Sequence, residues 1–133
     1  MRTAAGWCRP TDDVVSAPGT SYPRRVTNLP QVTTASFRAE ILEADQPVLV
    51  DFWAPWCGYC RSMTPVVEQL ASEYGGRLKV VAVNAEAHSS VAEHFAVRGL
   101  PTFLVVRGGQ VREQVVGAVT KAKLQQAIER AIA

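Results

Sequence analysis

Residues 48–60 read VLVDFWAPWCGYC, a near-continuous apolar run that ends in two cysteines spaced C-x-x-C. With Pro47 in front of it, the run from Val48 to Trp53 predicts a strand buried on both faces. Beyond the cysteines, Met63, Val66, Val67, Leu70, Ala71 and Tyr74 recur at helical spacing until Gly75-Gly76 supplies a stop. The cysteine pair therefore lies where a strand turns into a helix. Such a pair can hold a metal, staple a loop or exchange electrons. The chain has only three cysteines, so Cys8 alone lies outside the motif, and no second pair completes a four-ligand zinc site or a multi-bridge scaffold. At a helix N-terminus the unpaired N–H groups and the helix dipole favour thiolate over thiol, which makes Cys57 the nucleophile. Cys60, one turn on and shielded beneath it, is placed to resolve a mixed disulfide.

The rest of the chain supplies a frame for this junction. Phe37, Ile41 and Ala44 predict a helix starting near Thr33 and closed by Pro47. Leu78 to Val83 reads as a second strand, and Ser90-Val91-Ala92-Glu93 as a short helix opened by a capping box. Thr102 to Val106 and Val111 to Val116 flank Gly108-Gly109 as a hairpin. Leu124, Ala127, Ile128, Ala131 and Ile132 stripe a final helix. Pro65 removes a hydrogen bond inside the helix after the cysteines and predicts a bend there. The order βαβαβαββα, without an internal repeat, predicts an α/β fold in which helices cover both faces of a mixed sheet of about five strands.

At 133 residues, 47% hydrophobic and 20% charged, the chain suits one domain with one core. Residues 1–25 are rich in Thr, Ser, Pro, Gly and Arg without periodicity and are expected to be a flexible tail preceding a domain over 26–133. Cys8, beside Trp7, reads as an incidental exposed thiol, with a regulatory or intermolecular disulfide as the alternative. A net charge of +2 without a Lys/Arg run gives no argument for nucleic acid or a membrane surface. No run approaches transmembrane length, and Arg9, Pro10, Asp12 and Asp13 break the apolar stretch a secretory signal needs, so a soluble, cytoplasmic monomer is expected.

Several separate segments together resemble the thioredoxin family from about Val32 to the C-terminus: VDFWAPWCGYC, Pro65, Gly99-Leu100-Pro101-Thr102 and Val116-Gly117-Ala118. The resemblance implies a thioredoxin fold with about four helices around the sheet. It also implies that Pro101 is a cis-proline facing the cysteines, leaving the Leu100 backbone free to pair with a substrate strand. Trp56, Gly58, Tyr59, Gly99, Leu100, Pro101 and Gly117 would then form a flat apolar substrate surface. Asp51, within an apolar strand, should have a raised pKa, and the resemblance makes it the group that helps deprotonate Cys60. Many family members carry a lysine near this carboxylate where Ala82 stands here, which leaves the acid more isolated. Val83-Asn84-Ala85-Glu86-Ala87 is similar to a subgroup with an N-terminal zinc ribbon, which one tail cysteine cannot build. His88 and His94 lack a third ligand and read as solvated, so no metal is expected.

These readings converge on a dithiol-disulfide reductase with no bound cofactor, restored by a separate thioredoxin-reductase-like donor. The Gly58-Tyr59 dipeptide is similar to that of bacterial disulfide isomerases, which keeps an isomerase or oxidase as an alternative. A partner-binding module using the Trp56 surface is another. Proline at position 59 would remove a backbone donor near the sulfurs, so Tyr59 predicts a better stabilised thiolate and a potential a few tens of mV less negative than the roughly −270 mV of thioredoxin.

Overall fold

The computed structural model describes residues 29–133. The expected tail over residues 1–25, with Trp7 and Cys8, lies outside the described residues. Four strands, β1 (Val48–Trp53), β2 (Lys79–Asn84), β3 (Thr102–Arg107) and β4 (Gln110–Val116), form one sheet in the order β2-β1-β3-β4. β1 runs parallel to β2 and antiparallel to β3, and β3 runs antiparallel to β4, so the sheet is mixed as predicted. Three helices accompany it: α1 (Gly58–Tyr74), α2 (Ser89–His94) and α3 (Lys121–Ile132).

Strand periodicity divides the core in two. Leu49 and Trp53 of β1 pack with Met63, Val67, Leu70 and Tyr74 of α1 and with Leu124, Ala127 and Ile128 of α3. On the opposite face Val48, Val50 and Phe52 pack with Ile41, Val91 and Ala92. Every residue of β1 is buried, as a strand with helices on both sides requires. α1 runs unbroken through Pro65, and Gly75, at φ 53°, ends it with its N–H on the Ala71 carbonyl. Tyr74 donates its hydroxyl to Glu129, tying the end of α1 to α3. Gly108 and Gly109, at φ 62° and 78°, turn the hairpin between β3 and β4, where only a residue without a Cβ adopts both angles easily.

Three expectations are corrected. The helix after Thr33 is a five-residue π-helical segment, Arg38–Leu42. Thr33 and Ser36 exchange side-chain-to-backbone hydrogen bonds of 2.9 and 3.2 Å, which compete with the helical ladder, although Ile41 is buried and Phe37 and Ala44 pack as predicted. The sheet has four strands where about five were expected, and an isolated parallel bridge joins Gln31 to Ala82 of β2 among the described residues. Pro30 can accept from the Ala82 N–H at 2.9 Å but has no N–H to extend the ladder. The capping box is absent: α2 starts two residues early, with His88 rather than Ser90 as its N-cap and no side-chain cap. Asn84 Oδ1 accepts from the N–H groups of Glu86 and Ala87, and the chain enters the helix from that turn.

Candidate active site

Cys57 occupies the N-cap of α1, with φ −90° and ψ 107°, and its Sγ accepts from the Cys60 N–H at 3.2 Å. The turn before it is closed by the Cys57 N–H on the Ala54 carbonyl at 3.1 Å. The two cysteines form a disulfide, with Cα atoms 5.3 Å apart. The expectation of an exposed Cys57 over a shielded Cys60 is only partly met. Cys57 is 6% exposed and Cys60 3%, both lying within the apolar cluster between the sheet and the helices α1 and α3. The exposed groups are their neighbours, Trp56 at 67% and Tyr59 at 71%.

Asp51 lies in β1, 3% exposed, directly opposite Ala82 in the parallel ladder and Phe103 in the antiparallel one. No side-chain hydrogen bond or ion pair reaches its carboxyl among the described residues, and burial alone pushes its pKa up to about 7. Ala82 contributes no charge across the ladder, as its sequence identity implied.

The Leu100–Pro101 peptide is cis. Thr102 donates its hydroxyl to the Gly99 carbonyl at 2.6 Å, and the Gly117 N–H donates to the Pro101 carbonyl at 2.8 Å. Gly117 holds φ 94°, a left-handed conformation that suits glycine. The turn after β1, the loop before β3 and the loop after β4 therefore share one end of the sheet. Trp56, Gly58, Tyr59 and Gly99 are exposed there, Leu100 and Gly117 half-buried and Pro101 buried. A shallow, largely open depression adjoins them, lined by Ser62, Met63, Val66, Ala118, Val119 and Lys123 among others.

The histidines are not simply solvated. His88 Nδ1 accepts from the Thr34 N–H at 3.1 Å, and the His94 ring meets those of Phe37 and Phe95 edge-on at 5.2 and 4.8 Å. Among the described residues no three Cys, His, Asp or Glu side chains gather as a metal site.

Two positioning residues escaped the sequence reading. Arg61 donates to the Pro55 carbonyl at 2.6 Å and so fastens the turn that presents Trp56. Gln31 accepts from the Trp53 indole N–H at 3.1 Å. Arg61 could have been suspected, since it directly follows Cys60 in the first turn of the helix; nothing local marks Gln31.

A family model described as Thioredoxin matches residues 28–130. Thioredoxin 1 of Nostoc sp. is 49% identical over 75% of this chain and 94% of its own length. The thioredoxin of Synechocystis sp. is 45% identical over 76% and 94%. The chloroplastic M-type thioredoxin of Chlamydomonas reinhardtii is 44% identical over 74% and 71%.

Proposed function

The chain belongs to the thioredoxin family and is a thiol-disulfide oxidoreductase that reduces protein disulfides, and we propose that Cys57 attacks and Cys60 resolves. In the reduced protein the Cys57 thiolate attacks one sulfur of a substrate disulfide, forming a mixed disulfide and expelling the other sulfur as thiolate. Asp51 accepts the Cys60 proton, directly or through a water, and the Cys60 thiolate attacks Cys57 Sγ. The second substrate sulfur leaves as thiolate, the substrate sulfurs take up the proton held by Asp51 and one from solvent, and the substrate departs with two electrons while the Cys57–Cys60 disulfide remains. A separate thioredoxin-reductase-like donor returns the electrons, and the chain itself needs no cofactor for the exchange.

The observation that carries the assignment is the N-cap position of Cys57, where the first-turn amides and the dipole stabilise a sulfur anion. Tyr59 keeps one such amide that proline would delete, which supports a potential a few tens of mV less negative than the roughly −270 mV of thioredoxin. Trp56, Gly58, Tyr59, Gly99, Leu100, Pro101 and Gly117 form the surface on which the substrate lies. The Leu100 N–H and carbonyl have no partner among the described residues and suit pairing with an extended substrate strand. No described helix is long and apolar enough to cross a membrane; we assign the protein to the cytoplasm.

Alkylation of the reduced Cys8→Ser variant at neutral pH tests the roles. Cys57 should take the label first, and preferential modification of Cys60 would reverse them.

A further inference from the structure

The strand directions bring the ends of β1, β2 and β4 and the start of β3 to the end of the sheet that holds the disulfide. Charge there is unevenly divided. Three segments surround the site on the β1, β3 and β4 side: residues 52–67, 95–106 and 114–128. None contains a carboxylate, although buried Asp51 directly precedes the first and Glu68, Glu113 and Glu129 lie just outside their ends; their charged side chains are Arg61, Arg98, Lys121 and Lys123. Lys121 is neutralised by Glu73 at 2.6 Å. Arg61, Arg98 and Lys123 are exposed and lie in no ion pair among the described residues. The acid in the nearest turn, Glu86, follows β2, on the other side of β1.

Their placement is specific. The Arg61 guanidinium is held against the Pro55 carbonyl, beside exposed Trp56. Arg98 directly precedes the Gly99-Leu100-Pro101 loop. Lys123 stands at the depression whose apolar lining is Met63, Val66 and Val119. A net charge of +2 over the molecule would not select partners, but three uncompensated cations at the end of the sheet that holds the disulfide, one of them lining the apolar depression, would.

We propose that the protein disulfides this chain reduces best carry an apolar residue and neighbouring Asp or Glu residues beside the attacked cysteine. The apolar side chain packs into the depression, and the carboxylates face Arg61, Arg98 and Lys123. This substrate preference rests on the reductase reading of Cys57 and Cys60 and adds to it which segments reach them.

The test uses the reduced full chain and two disulfide-linked peptides that differ only in Asp/Glu against Asn/Gln beside the cysteine. At an ionic strength of about 20 mM the acidic peptide should show a kcat/KM about tenfold higher, and the gap should close to within about twofold near 0.5 M, where the Debye length falls to about 4 Å. A double Arg98→Glu, Lys123→Glu variant should favour the amide peptide instead. Equal kcat/KM for both peptides at low salt, or a preference that salt leaves intact, overturns the proposal even if that variant does not fold. Uncharged bis(2-hydroxyethyl) disulfide is assayed in parallel. Failure to reduce it would refute the cysteine chemistry itself, whereas normal reduction with equal peptide rates would refute the charge selection alone.

Discussion

Asp51 concentrates the physical tension of this site in one side chain. Its carboxyl is buried without a partner, so the folded state holds its proton up to about pH 7, against 3.8 for the free group. Between those values the folded chain binds one proton more than the unfolded chain, so stability falls as pH rises from about 4 to 7 and then levels off. A rise from 3.8 to about 7 corresponds to about 4 kcal/mol. Asp51→Asn should therefore remove most of the loss in unfolding free energy between pH 5 and pH 8, measured by urea denaturation. A wild type with pH-independent stability over that range would contradict the raised pKa. The same variant separates structure from chemistry. The first mixed disulfide should form at a near-normal rate and then persist, because only the Cys60 proton has lost its acceptor; equal slowing of both steps would mean that the strand was merely disturbed.

At the scale of an element, the end of α2 carries a small correctable strain. Ala96 holds φ 57°, and two hydrogen bonds, Val97 N–H to the Ala92 carbonyl at 2.9 Å and Ala96 N–H to the Glu93 carbonyl at 3.0 Å, form a Schellman cap around it. Val97 and Ala92 pack in one cluster, so the cap is fixed by an apolar contact as well. A left-handed alanine costs about 1 kcal/mol relative to glycine, partly offset by the greater freedom of glycine in the unfolded chain. Ala96→Gly should thus stabilise the protein by roughly 0.5 kcal/mol, seen as a higher urea midpoint with an unchanged slope. A lowered midpoint would show that the methyl group contributes more than the strain removes. The segment Arg38–Leu42 teaches the complementary lesson. Its apolar spacing identified the buried face, but spacing does not distinguish an α-helix from a π turn when Ser and Thr side chains compete for the backbone.

For the whole molecule, the family match covers residues 28–130. Deleting residues 1–25 should leave insulin reduction within about twofold of the full chain, since nothing in their sequence supplies chemistry or an apolar face. A larger loss would assign the segment a part in docking. Sequence by itself determined the strand-to-helix junction, the N-cap position of Cys57, the buried faces of α1 and α3 and the glycine hairpin. These follow from local periodicity and from single residues whose backbone preferences act where they stand. Even the isolation of Asp51 was half legible, since Ala82 carries no charge whatever its neighbours are. Only the tertiary structure decided that Asp51 pairs with Ala82 in the parallel ladder and Phe103 in the antiparallel one, that Gln31 holds Trp53, and that Arg98 and Lys123 share one end of the sheet with Arg61. Each of these depends on which distant strands pair and in what register, and the energy that selects the pairing is spread over the burial of both sheet faces rather than written in any one segment.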